Sequence, residues 1–308
     1  MPVPERATLA ALARLPRAVA MLALFLGLGG VALPSATAAE RFERGLLWRI
    51  EGAGAPASHV FGTVHLADPR VTRLPPAVAR ELDQARSLTL ESGLDPANIL
   101  VLAGRMVFSD GRDLPAVAGE ELFGRAAKLT AGQGLPEPVL RVFKPWAVAM
   151  LLSVPPQDPA SVLDYVLARL AAEKGKPVHE LESMEEQVSV FEGMSEEDQV
   201  AMLRQAVDEF ERLPRQISRV VDAYLARDLA GLWRISQESR GDGSEERRLN
   251  EVLMRRLLHE RNTRMAERSE TRLREGGAFI AVGALHLYGD GGVLALLEQR
   301  GWRVTRVY

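Results

Sequence analysis

The chain contains no cysteine. That absence removes disulfides, thiolate nucleophiles, cysteine-based zinc sites and lipid attachment through a thiol. It also lacks an excess of positive charge. Its 38 Lys and Arg face 41 Asp and Glu, a formal net charge of -3, so no basic field invites nucleic acid. There is no His-Glu-x-x-His helix, no Gly-x-Ser-x-Gly elbow and no phosphate-binding P-loop. No internal period points to a solenoid. Only one stretch, near the start, is a long apolar run.

What is present is a globular composition. Of the 308 residues 47% are hydrophobic and 26% charged, enough chain for one large domain or two small ones. Arg6, Arg14 and Arg17 form a basic start, Ala18–Leu33 is apolar, and Ser35-Ala36-Thr37-Ala38-Ala39 offers small residues for cleavage. Residues 1–38 therefore read as a secretory signal peptide, with an uncleaved anchor as the alternative. The expected product is periplasmic or secreted, with no membrane span left after cleavage.

Strand-like segments lie toward both ends and helical ones fill the middle. Phe42–Ile50 and Ser58–Thr63 read as a hairpin, and Leu74–Ala85 reads as an amphipathic helix leading to a strand at Ser87–Leu90. Helices are expected over Ala97–Phe108, Gly119–Gly132, Pro138–Leu152 and Ser161–Lys174, then a strand over Lys176–Glu182. Met184 to Arg274 reads as nearly all helix, with Ser195 as an N-cap, Ser244 capping the helix after a loop, and Asp290 placed to cap the last helix. Ala278–Gly283 is a short apolar run bounded by glycines, which suits a central strand. The predicted class is α/β (α+β): a central mixed sheet flanked by helices, one domain over 39–308, with a large helical insertion at about 184–275. A separate helical domain is the alternative.

The chemistry gathers at strand ends. Gly62-Thr63-Val64-His65-Leu66 and Gly283-Ala284-Leu285-His286-Leu287 each place a histidine three residues after a glycine, just past an expected strand, where the glycine lets the backbone bend. The other three histidines, His59, His179 and His259, fall inside expected elements. Glu91 and Glu182 also close expected strands. Ligands of open α/β sheets sit outside the carboxyl ends of the strands, so these four side chains are candidates for one site. Imidazole and carboxylate together suit Zn, Mn, Co or Fe(II). A divalent ion there could activate water, and a carboxylate off the metal could serve as base. The free N–H groups after Tyr288-Gly289-Asp290-Gly291-Gly292 could hold an anion or a developing oxyanion, although a plain tight turn is the favoured reading.

These motifs resemble the TraB/GumN group, related to the Tiki metalloproteases and more distantly to erythromycin-esterase and ChaN-like proteins. The resemblance rests on LLWRI, FGTVHLADPRVTRLP, LTLES, FKPWAVAMLL, GKPVHELESMEEQ, HERNTRMAE and VGALHLYGDGGVLALLEQRGWRV, in that order along nearly all of the chain after residue 38. It implies a metal-dependent hydrolase that cleaves a peptide or protein with a metal-activated water, manganese or cobalt being the suggested ion and zinc an alternative. It places His65, His286 and Glu91 in the site as ligands, with Glu91 as ligand or base. Glu182, Arg261, Asn262 and Met265 fall on further family segments. Glu182 becomes a supporting ligand, and Arg261 and Asn262 become groups that orient substrate or stabilise an oxyanion. Two other readings stay open: a non-catalytic protein holding haem, metal or a peptide, and an accessory to envelope polysaccharide assembly.

Overall fold

A computed structural model describes residues 42–93, 95–238 and 243–308. The expected signal peptide and its cleavage point lie outside these residues. Among the described residues no helix is long and apolar enough to cross a membrane.

The described residues fall into two compact units. One is helical and takes 95–159 and 184–215. The other takes 42–93, 160–183 and 216–308 and contains the sheet, so the helices from 216 onward group with the strands. The chain is of the α/β class, a mixed six-stranded sheet flanked by helices.

The strands are β1 Leu47–Glu51, β2 Ser58–Thr63, β3 Ser87–Leu90, β4 Val178–Glu180, β5 Ala278–Gly283 and β6 Arg303–Arg306, in the order β4-β3-β5-β2-β1-β6. β2, β3, β4 and β5 run parallel, and β1 is antiparallel to both β2 and β6. Every residue of β2, β3 and β5 is buried. That is the signature of strands covered on both faces, and it explains why Ala278–Gly283 carries no charge. The Leu163–Glu173 helix packs on β3 and β4, the Glu260–Glu275 helix on β5, and the Val293–Gln299 helix on β6.

Several boundaries differ from the sequence reading. β1 begins at Leu47 rather than Phe42, and Arg44 instead makes an isolated bridge to Asp228. The Lys176–Glu182 segment keeps only Val178–Glu180 as strand. The expected Pro138–Leu152 helix is two helices, Glu137–Leu140 and Pro145–Leu152. Pro145 forces the residue before it out of helical backbone, and Lys144 sits at φ -71, ψ 152. The caps also differ in part. Ser195 does accept the Asp198 N–H, whereas Gly243 and Gly292 occupy the cap positions expected for Ser244 and Asp290.

Within the helical unit, Pro145 opens a helix whose Trp146 ring stacks on Phe191, with centroids 5.5 Å apart and planes 10° off parallel. Lys144 pairs with Glu192 at 2.6 Å. The FKPW segment is thus accounted for as packing.

Candidate functional site

Four parallel strands deliver their carboxyl ends to one edge, and the candidate residues follow those ends. His65 lies just past β2, Glu91 directly after β3, Glu182 just past β4, and His286 in the single 3-10 turn Ala284–Leu287 that follows β5. The edge is stitched at the backbone, with the Glu182 N–H donating to Glu91 O at 2.8 Å. All four side chains are buried.

Both imidazoles are gripped at Nδ1. His65 Nδ1 lies 2.6 Å from Asp164 Oδ2. Asp164 sits in the first turn of the Leu163–Glu173 helix, and its other oxygen accepts the Thr63 hydroxyl at 3.1 Å. A carboxylate only accepts, so the proton is on His65 Nδ1. His286 Nδ1 lies 2.5 Å from Asn262 Oδ1. The Asn262 amide nitrogen donates to Gly291 O at 2.7 Å, which fixes the amide orientation and makes His286 Nδ1 the donor. When each ring is neutral, Nε2 is then the atom with a lone pair, the arrangement that outer hydrogen bonds impose on metal-binding histidines.

Glu91 is held just as firmly. Its Oε1 accepts the Gly283 N–H at 2.5 Å and its Oε2 accepts Arg261 Nη2 at 2.7 Å. Arg261 also donates through Nε to Glu182 Oε2 at 2.8 Å, and Arg264 Nε reaches Glu182 Oε1 at 2.8 Å. Both oxygens of Glu182 therefore lie on guanidinium groups. Arg261 is 2% exposed, so its charge is compensated inside the protein rather than by water. It stands on a helix interrupted by one π turn, Arg255–His259, immediately before Glu260–Glu275. Such turns often mark functional positions in helices.

The charges set the protonation states. Burial would raise the Glu91 carboxyl, but Arg261, the neighbouring imidazoles and the Gly283 N–H outweigh it and hold the group down at about 2. Burial drives His286 down to about 3, which keeps the ring neutral at physiological pH. Burial also pushes His65 down, yet the Asp164 carboxylate beside it wins and its pKa is raised.

Gly283 marks where these groups converge. A Cβ at that position would stand 3.2 Å from Glu91 Oε1, 3.5 Å from His286 Cδ2 and 3.8 Å from His65 Nε2. His286 Nε2 is 3.7 Å from Glu91 Oε1, too far for a hydrogen bond. Two ligands about 2.1 Å from one ion stand more than 3 Å apart, so this gap suits a shared cation. Among the described residues, no group of three or more His, Asp or Glu side chains stands close enough together to hold a metal ion as it is.

The sequence profile of the TraB/PrgY/gumN family matches residues 46–306. The chain belongs to the TraB/PrgY/gumN family. Its relatives include the YbaP protein of Shigella flexneri, 23% identical over 253 residues, covering 78% of this chain and 88% of the relative. Metalloprotease TIKI2 of Danio rerio is 26% identical over 300 residues, 81% of this chain and 58% of the relative. Metalloprotease TIKI1 of Homo sapiens is 26% identical over 309 residues, 84% of this chain and 61% of the relative. The chain thus spans about three fifths of the two metalloproteases it resembles. No solved structure matches it.

In this TraB/PrgY/gumN chain the structure brings His65, His286, Glu91, Glu182, Arg261 and Asn262 into one connected group. Met265 is buried on the same helix, one turn from Arg261. The N–H groups before Val293–Gln299 are part of a tight turn, with Gly292 N–H donating to Gly289 O at 3.0 Å. The histidines set aside lie elsewhere: His59 is 3.6 Å from Glu81, His179 is 3.2 Å from Arg272, and His259 is in the π turn. Sequence reasoning missed Asp164, Arg264 and Tyr224, whose hydroxyl donates to Gly62 O at 2.9 Å. A signal for Asp164 was present. It shares the buried stripe of its helix with Leu167 and Ala171, where a charge needs a partner.

Proposed function

We infer that the chain is an exported metal-dependent hydrolase acting on peptide bonds. One observation carries the reading: His65 Nε2, Glu91 Oε1 and the His286 ring border a single point above Gly283, with both imidazoles held from behind at Nδ1. The two relatives named as metalloproteases support the choice of a peptide substrate. The basic start, apolar run and small residues of 1–38 support export.

His65, His286 and Glu91 would hold the cation, and two imidazoles with an ionised carboxylate suit Mn, Co or Zn. When bound, such an ion lowers the pKa of water and polarises a carbonyl. A carboxyl held at about 2 is a poor proton acceptor, so Glu91 serves as a ligand rather than as the base. Glu182 anchors Arg261 and Arg264 instead of binding metal, since both its oxygens lie on guanidinium groups, whereas Glu91 Oε1 meets only a backbone N–H. Arg261 fixes Glu91, and Asn262 fixes the His286 ring. Neither is needed as an oxyanion donor.

The test is turnover of a quenched-fluorescent peptide library by chelated protein with Mn, Co or Zn added back. Cleavage that needs the ion and falls at least about a hundredfold in His65→Ala and His286→Ala supports the reading. Cleavage that survives both chelation and His65→Ala contradicts it. Tight retention of an ion or peptide without product would favour a binding protein.

A further inference from the structure

Thr63, Asp164 and Tyr224 form a second layer behind the first Gly-x-x-His motif. They reach it from three separate elements: β2, the Leu163–Glu173 helix and the Leu213–Leu225 helix. Asp164 is 6% exposed and touches His65 directly, while Thr63 holds its other oxygen. Tyr224, 4% exposed, ties down the carbonyl of Gly62, the glycine of the same motif. A buried carboxylate in the first turn of a helix, on a stripe otherwise made of Leu163, Leu167 and Ala171, is costly unless its partners repay it, and a hydroxyl and an imidazole are its partners here. The two histidines are not supported alike: His286 is held by a neutral amide, His65 by a carboxylate.

We propose that Asp164 is the positioning residue for His65, fixing its tautomer and ring orientation so that Nε2 faces Glu91 and Gly283. The assignment to metal binding rests on the reading of His65 as a ligand, whereas the assignment to ring orientation does not. A carboxylate behind a ligating imidazole selects the Nδ1–H tautomer and strengthens Nε2 as a donor, and removal of such a partner typically weakens metal affinity about 10- to 100-fold. Thr63 restrains the carboxylate itself, so Thr63→Val loosens the same ring by a smaller step.

The experiment uses Asp164→Ala and Asp164→Asn in the whole chain, with circular dichroism to confirm folding. Two measurements are made: the His65 tautomer by long-range proton–nitrogen NMR on the metal-free protein at a pH high enough to keep the ring neutral, and Mn, Co and Zn affinity by calorimetry. The expected result is a His65 ring fixed as Nδ1–H in the native protein and in Asp164→Asn, whose amide oxygen can still accept. Asp164→Ala should show mixed tautomers and an affinity about 10- to 100-fold weaker. A His65 ring that keeps its tautomer in Asp164→Ala overturns the proposal, whatever the metal does. If the tautomer shifts while the native protein binds no ion, the positioning role stands and the hydrolase reading falls. A variant that does not fold is replaced by Thr63→Val, where an unchanged tautomer population and unchanged ring relaxation count against the proposal.

Discussion

At the scale of single residues, the glycines of the two Gly-x-x-His motifs do different work. Gly62 has no room for a side chain: a Cβ would lie 2.9 Å from Leu287 Cδ1 and 3.1 Å from Ala284 Cα. Gly283 has its room at the candidate site. The sequence reading gave both glycines a bending role, but neither takes a left-handed backbone, and close approach is the actual constraint. Gly283→Ala should therefore fold, yet place a methyl among His65, Glu91 and His286. Its expected phenotype is a metal affinity at least about tenfold weaker, by calorimetry, with a melting temperature within a few degrees of native. An affinity equal to native would show that the point above Gly283 is not where the ion sits.

Arg261 invites the opposite kind of test. It is buried between Glu91 and Glu182, and its loss strips Glu91 of its guanidinium partner and leaves Glu182 with Arg264 alone. Arg261→Met should cost about 3–5 kcal/mol in urea unfolding, whereas exposed pairs such as Arg169–Glu173 should cost less than about 1 kcal/mol. Acid sensitivity follows from the same groups. The Glu91 carboxyl is held at about 2 against an ordinary 4.5, so its contribution is full above 4.5 and is lost as pH falls toward 2. That loss amounts to about 3 kcal/mol. His286 stays neutral down to about 3 while an unfolded histidine would take a proton below 6.5, which adds to the loss on the acid side. For chelated protein the urea midpoint should fall between pH 6.5 and pH 3 through His286, and more steeply below 4.5 where Glu91 adds its loss. A midpoint that does not move over this range would contradict the assigned charge states.

At the scale of elements, β2 and β5 are parallel neighbours in the register Gly62↔Val282 and Thr63↔Gly283. That pairing brings histidines from opposite ends of the chain to one place. The turn after β5 lies against β2 where Gly62 offers no side chain. Gly62→Ala should therefore destabilise by about 1–3 kcal/mol, read as a lower urea midpoint, through crowding of Ala284 and Leu287. An unchanged midpoint would mean that the turn can shift freely. This edge was legible because period and punctuation agreed: apolar runs ended in glycine turns, with a histidine or glutamate just beyond. The partners were less legible. Asp164 and Tyr224 lie on helices whose sequences place no turn or motif beside them, and Arg264, although inside HERNTRMAE, is one arginine among several on its helix. The buried stripe marks Asp164 as needing a partner, but contacts across long sequence separations, such as Asp164 with Thr63, are what show which partner it has. The short β4 and the break before Pro145 were misjudged because local propensity sets element ends weakly.

At the scale of the molecule, the sheet-bearing unit alone contains every residue assigned to the site: β2, β3, β4 and β5 together with the helices that begin at Leu163 and Glu260. The helical unit has its own core, built on Trp146 and Phe191. The account's central claim is that His65 and His286 share one ion. Elemental analysis and calorimetry on the chelated and reloaded protein test it most directly, comparing native chain with His65→Ala, His286→Ala and the double variant. The claim predicts one bound ion per native chain, an affinity lowered at least about a hundredfold in each single variant, and little further loss in the double. Stoichiometric binding that survives in either single variant, or two losses that simply add, would contradict it.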